Sequence, residues 1–310
     1  MDQARHTPDI GAEGGSGLSI RVMLLLIAGM ATFAFAPILV RVAGEADAFA
    51  LAAIRTTSAA LVLFPFLLMK RAQWRQAFSW WDNVVAAMAG AILGLHFIFW
   101  ILALQHTSVA SASVLVTMHP ILLILVESLF FRRVFPLLAW VGVFLAFTGS
   151  VLLGYSDLRS EQLFEYALLG DVYAVIAALL FALYFLLSQR LRQKSDWLGY
   201  VVRVYGATAF ACLAAAVLAG STVPERPEIW LAGIALALGP QVIGHGSMNY
   251  AVKFVSPTLL STLVLTEPVF ATVLAMLLFA EFPPGGTYAA MAIILSGIVM
   301  AWLARRRTGV

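Results

Sequence analysis

A single cysteine, Cys212, stands in 310 residues, so no intrachain disulfide can form and cysteine usage leaves the redox compartment open. Charge is scarce as well. Asp, Glu, Lys and Arg make up 11% of the chain, against roughly a quarter in soluble domains, and hydrophobic residues reach 62%. No soluble core accounts for that excess. A Gly-rich phosphate loop closed by Gly-Lys-Ser/Thr is missing, which excludes direct coupling to ATP. There is no His-Glu-x-x-His, no inverse of it and no cysteine cluster, so no metal and no cofactor are expected. Nor does any nucleophile carry a recognisable base beside it, and the chain is not expected to be an enzyme.

What is present is apolar sequence in long runs. A hydrocarbon layer of roughly 30 Å needs about 20 mostly apolar residues in helical form, because backbone groups in lipid must satisfy one another. Ten segments meet that need, near 20–42, 48–69, 84–104, 108–131, 136–155, 168–189, 198–219, 229–250, 257–280 and 286–304. Residues 1–19 are polar and Gly-rich, with no signal-peptide layout, and read as a disordered cytoplasmic tail. The first apolar segment lacks a small-residue cleavage site and is expected to stay as a helix.

Orientation follows from the basic residues. With the N-terminus in the cytoplasm, 14 of 19 fall inside: Arg5, Arg21, Lys70, Arg71, Arg75, Arg132, Arg133, Arg190, Arg192, Lys194, Lys253 and Arg305 to Arg307. Arg41, Arg159 and Arg226 fall outside, and Arg55 and Arg203 lie within helices. The positive-inside rule therefore selects cytoplasmic N- and C-termini. It also accounts for the basic loops without nucleic acid.

An offset of 148 positions superimposes residues 55–151 on 203–299 without a gap. Arg55 meets Arg203, Ala103 meets Ala251, Leu115 and Val116 meet Leu263 and Val264, Pro120 meets Pro268, Phe131 meets Phe279, and Gly149 meets Gly297. Arg and Pro are uncommon inside membrane helices, yet both recur at the one offset. Each half has an odd number of spans, so the second copy enters the membrane upside down. Such an inverted repeat offers two nearly equal conformations, one open to each side, with a substrate site near the midplane. The expected fold is an all-α membrane protein, ten transmembrane helices forming two inverted five-helix repeats around a central cavity, with units at 20–155 and 168–304.

The run from Ser108 through Val114 and Thr117 to Pro120, followed by Trp140 to Gly142 and then Gly149, resembles the repeat of the EamA-type drug/metabolite transporters. The second copy is closer to it, with Thr266-Glu267-Pro268, then Phe279 to Glu281, then Gly297. The first copy departs: His119 replaces the mid-helix glutamate, and Arg132-Arg133 stands where a helix-ending glutamate belongs. The resemblance implies a cavity lined by helices one to four and six to nine, with the fifth and tenth outside. It also implies a transporter similar to bacterial exporters of amino acids, aromatic ones among them, and of other metabolites.

Ionisable groups within the hydrocarbon cost at least about 2.5–3.5 kcal/mol and must face protein or water. The short list is Arg55, His96, His119, Glu127, Arg203, His245 and Glu267. Pro120 and Pro268 are expected to kink helices four and nine as hinges, with His119 and Glu267 just before them at the midplane. Glu267 reads as an amine-binding or proton-coupling group, or as a protonated carboxyl bonded to a neighbouring helix. A single backbone carbonyl would satisfy His119. Arg55 and Arg203 read as equivalent groups at opposite gates that meet substrate carboxylates, or as side chains that snorkel to the interface.

His96 and Trp100 share a face of helix three, flanked by Phe97 and Phe99. With Phe33 and Phe35, and with Phe181, Tyr184 and Phe185 on helix six, they form a candidate aromatic cavity or ordinary packing. Gln241, His245 and Asn249 make one polar stripe on helix eight. Glu127 reads as an interfacial partner of Arg132 or Arg133, and Asp171 as an outer helix end. The substrate-binding set is therefore His96, Trp100, His119, Tyr184, His245, Asn249 and Glu267. The leading expectation is secondary export of amino acids across a bacterial inner membrane by alternating access, with the proton as candidate coupling ion and a monomer or weak homodimer as the working form. A cationic drug, nucleoside or polyamine is the alternative cargo, since anionic cargo would need more than two cavity arginines. An intramembrane enzyme or receptor is the third reading.

Overall fold

The computed structural model describes residues 19–69, 78–107, 109–158, 166–279 and 285–308. Residues 1–18 of the expected tail lie outside these, as do Lys70, Arg71, Arg75, Ser108, Arg159 and Glu281. Ser19, assigned to the tail, instead caps the first helix: its hydroxyl accepts from the Val22 N–H at 3.4 Å.

Every regular element among the described residues is helical. In chain order these are α1 (Ile20–Phe33 and Ala36–Ala43), α2 (Ala48–Met69), α3 (Trp80–His106), α4 (Val109–Val116 and His119–Leu129), α5 (Leu137–Leu158), α6 (Ala167–Arg192), α7 (Trp197–Leu218), α8 (Pro227–Ala251), α9 (Pro257–Val264 and Glu267–Phe279) and α10 (Gly285–Thr308). Eight are long and apolar enough to cross a bilayer, and α5 and α9 contribute the shorter apolar stretches Leu137–Leu152 and Pro257–Phe270. Large apolar side chains stand open on the outer faces, among them Leu61, Leu129, Leu168, Phe210 and Leu218, as a lipid-facing surface requires. The chain is a multi-pass, all-helical membrane protein.

Inversion of the two halves is visible in which helices touch. Under the repeat, α1 to α5 correspond to α6 to α10. The pairing of α1 with α8 is mirrored by α6 with α3, and that of α2 with α8 by α7 with α3, while α2–α7, α4–α9 and α5–α10 pair across the axis. Helices α5 and α10 pack chiefly on each other. A Cβ on Gly142 would lie 2.5 Å from the Ala301 backbone nitrogen, and one on Gly297 2.4 Å from that of Ala146, so only glycine lets these two backbones approach so closely.

Three helices are broken, α1 where a smooth span was expected and α4 and α9 where a proline kink was. Helical winding is interrupted by turns at Ala34–Phe35 in α1, at Thr117–Met118 in α4 and at Leu265–Thr266 in α9. Proline sits one residue into the segment after each break, at Pro37, Pro120 and Pro268, where its missing N–H is no loss. Pro120 and Pro268 thus restart a helix instead of kinking one. In α8 the stretch Ala237–His245, which contains Pro240, is wound as a π-helix, a local widening that periodicity does not reveal.

Candidate functional site

The breaks meet at one place. A central cavity is lined by Phe33 and Ala36 of α1, Arg55 of α2, His96, Phe97 and Trp100 of α3, Val116, Thr117 and His119 of α4, Phe181 of α6, Pro240 and His245 of α8, and Val264 and Glu267 of α9. Of the eight helices expected around it, α7 alone supplies none of these residues, and α5 and α10 stay out as well. The free volume is about 50 Å³, well below the roughly 300 Å³ or more of a ligand-sized pocket, so the cavity is contracted here.

Arg55 is the most consequential side chain in it. It is 2% exposed, its guanidinium carbon lies 3.6 Å from the Phe97 ring centre and 5.7 Å from that of Trp100, and its Nε donates to the Gln241 Oε1 at 3.2 Å. No carboxylate pairs with it among the described residues. The aromatic faces and one amide oxygen replace part of its hydration, leaving donors over for an incoming acceptor. Gln241 is placed by the π-helix: its carbonyl accepts from the Tyr205 hydroxyl at 2.8 Å, and its amide Nε2 is buried without a partner among the described residues.

Three imidazoles surround Phe181. His119 stands edge-on to it at 4.3 Å between ring centres, with His96 at 5.4 Å and His245 at 5.8 Å. His96 Nδ1 meets the Ala177 carbonyl at 2.9 Å, and since a carbonyl only accepts, that nitrogen carries the hydrogen. His119 Nδ1 is buried with no partner among the described residues. Glu267 is 9% exposed and opens the second segment of α9, where helix-terminal N–H groups favour a negative charge. Among the described residues neither a hydrogen-bond donor nor a cation reaches its carboxylate.

Several expected site residues lie elsewhere. Tyr184 and Asn249 do not line the cavity; they bond to each other beneath it, the phenol donating to Asn249 Oδ1 at 2.8 Å. Phe99 packs at a tilt against Tyr173 and Phe35 is exposed, and neither lines the cavity. Arg203 does not line the cavity that holds its repeat partner Arg55. It sits at the edge of the bundle, its guanidinium carbon 4.1 Å from the Phe78 ring centre and its Nε donating to Asn83 Oδ1 at 3.1 Å. Pro120 and Pro268 are absent from the lining and lie at the breaks.

Beneath the cavity, toward the end that carries Arg190, Lys194 and Lys253, the bundle is sealed by a polar network that sequence reasoning largely missed. Ser188 donates to the Tyr184 carbonyl at 2.8 Å and accepts from the Tyr200 hydroxyl at 2.5 Å. Arg192, expected in a solvated loop, is 2% exposed and donates to the carbonyls of Asn249 and Ser195. Glu127 pairs with Arg133 as expected, but it is buried at 1% exposure: its carboxylate also accepts from the Thr258 hydroxyl and from the Thr258 N–H at 3.2 Å, tying the end of α4 to the start of α9. Arg132 adopts φ 52°, a left-handed turn that costs about 1–2 kcal/mol for a residue with a Cβ and returns Arg133 toward Glu127. At the opposite end Asp171 accepts from the Thr107 hydroxyl at 2.9 Å.

An all-helical bundle with inverted halves, broken helices and a buried polar cavity is an architecture found among membrane transporters. The EamA-like transporter family matches residues 20–155 and 168–303, and the chain belongs to it. Two proteins of Archaeoglobus fulgidus, each named as an uncharacterized transporter, are 27% identical over 66% of this chain and 70% of their own, and 26% identical over 83% and 88%. The uncharacterized transporter YdfC of Bacillus subtilis is 22% identical over 71% and 72%. A solved structure titled only as a crystal structure of a protein shares the fold, with a TM-score of 0.74, 22% identity and coverage of 93% of this chain and 99% of that one.

Proposed function

We propose that this transporter exports small zwitterionic metabolites, foremost amino acids with apolar or aromatic side chains, across a bacterial inner membrane by alternating access. One observation carries the reading. A buried guanidinium and a buried carboxylate, Arg55 and Glu267, line one cavity, and each is without an ionic partner among the described residues. An unpaired buried guanidinium is costly and a buried carboxyl without a partner holds its proton, so a cargo carrying one carboxylate and one ammonium offers Arg55 a counter-ion and Glu267 a cation to take the proton's place. Phe33, Phe97, Trp100 and Phe181 supply the apolar walls, and the three imidazoles supply neutral polar contacts. A cation alone would leave Arg55 opposed, which ranks polyamines and cationic drugs second.

In the proposed cycle, cargo widens the contracted cavity, Glu267 exchanges its proton for the cargo ammonium, and the bundle rocks about the breaks in α4 and α9. In the described state the basic end is sealed by Glu127, Arg192 and the tyrosine network, so this end must part for loading. Both termini lie on that side by the positive-inside rule. Protein in liposomes is expected to move labelled phenylalanine, tryptophan or leucine faster than their decarboxylated amines. Equal or faster movement of the amines, or no movement across an amino-acid panel, refutes the cargo assignment.

A further inference from the structure

A second recess, remote from the central cavity, opens at the basic end. It is a cleft of about 460 Å³ whose polar lining is Arg133, Gln189, Gln193, Lys253 and Ser256, with Phe254 on its rim. Among the described residues Lys253 makes no ion pair, and its side chain is exposed. Arg133 is one-third exposed. It gives one donor to Glu127 and another to Gln189, of the five that a guanidinium offers.

Two carbonyls near the helix ends, which would oppose an anion, already accept side-chain donors. Asn249 O accepts from Arg192 and Lys253 O from Gln193 Nε2. What remains in the cleft is positive and donor-rich. Its walls run directly into apolar surface: Val134 is 83% exposed and Phe254 50%, and Phe130, Phe131 and Leu137 beside Val134 stand equally open. A recess that is cationic inside and greasy along one lip lies at the lipid boundary. Bulk water gives no reason for that lip.

We propose that this cleft binds the phosphate of an anionic membrane phospholipid, held by Lys253 and Arg133 with the glutamines as further donors, its acyl chains lying along Val134 and Phe254. The physical basis is that of basic pockets between helix ends at an anionic leaflet. Because Arg133 also holds Glu127, a bound headgroup fixes the residue that ties α4 to α9 and so steadies the seal at this end.

The test uses the whole purified protein in detergent and reads lipid retention by native mass spectrometry. Phosphatidylglycerol is expected to be retained about tenfold better than phosphatidylcholine, a difference of about 1.4 kcal/mol. Lys253→Glu is expected to erase that preference, whereas Lys194→Glu, the same charge change on a residue outside the cleft, is expected to keep it. Lys253→Gln, with its melting curve, guards against a misfolded reversal and is expected to weaken the preference while the fold persists. Equal retention of the two lipids, an unchanged preference in a folded Lys253→Glu or Lys253→Gln protein, or displacement of the lipid by millimolar inorganic phosphate would each overturn the proposal, the last by showing a site for free anions.

Discussion

Arg55 and Arg203 occupy equivalent positions in two copies of one bundle, yet one is sealed in the central cavity and the other lies at the edge against Phe78 and Asn83. His119 and Glu267 form a second such pair. Both open the helical segment after a break, but one carries an imidazole and the other a carboxylate. Glu127 belongs to a third, for the offset that relates the halves puts Ala275 at its place in the second copy. The two copies share what packing needs, the helix pairs, the breaks in α4 and α9 and the glycines at 149 and 297, while Glu127 and Glu267 stand in one copy each and the shared arginines differ in burial. A symmetric scaffold gives two conformations of similar energy.

Breaking the first pair should have the largest effect. Arg55→Ala removes the partner proposed for the cargo carboxylate, a loss of about 2–5 kcal/mol, and is expected to slow uptake into liposomes at least about 30-fold. Arg203→Ala is expected to change it by less than about threefold. Arg55→Lys should not restore activity, because an ammonium lacks the planar fork that stacks on Phe97. Equal losses at the two arginines would show that the symmetric reading, with one gate at each end, is the better one.

The second pair is sharpened by coupling. Glu267→Gln is expected to abolish acceleration by a pH gradient while leaving cargo exchange measurable, and His119→Gln to retain the gradient response. Flux assays at fixed cargo with and without the gradient distinguish them. Next in size is the crossing of α5 and α10. Gly142→Val forces a side chain into a space where even a Cβ would stand 2.5 Å from the facing backbone, so it should lower stability by about 1–3 kcal/mol, read as melting temperature in detergent. Gly206→Ala, where a Cβ meets nothing within 4 Å, should be neutral or raise stability by up to about 1 kcal/mol.

The smallest effect separates the two ends. Thr258→Val removes one hydroxyl from the Glu127 carboxylate, worth about 1.5 kcal/mol for a charged acceptor. Amide hydrogen exchange in Pro257–Val264 should quicken about tenfold, with Val109–Val116 as the unchanged internal reference. A uniform change in both segments would mean that Thr258 supports the whole bundle and not one end.

Much of this was legible in the chain because membrane physics writes itself into composition. Ten apolar stretches, the odd number of spans per half and the recurring Arg and Pro lead to the inverted bundle. His96, Trp100, His119, His245 and Glu267 could be singled out because an ionisable or amphipathic group in hydrocarbon needs a reason. The π-helix around Pro240 was not legible, since widening a helix by one residue per turn leaves the apolar pattern intact. Arg192 and Glu127 looked like interfacial charges because distance from a helix end does not tell whether another helix covers the side chain. Tyr184 and Asn249 were placed on plausible faces, yet each found the other.

The sequence by itself determined the span count, the duplication and the small set of polar groups that lipid would not tolerate, because these follow from length, period and the cost of charge in hydrocarbon. Only the tertiary structure decided which of those groups share a cavity. Burial beside Phe97 and Gln241 separates Arg55 from its repeat partner Arg203, and contact with Thr258 turns Glu127 from a surface charge into a seal. Those outcomes depend on how ten helices lie against one another, a matter of packing between residues far apart in the chain.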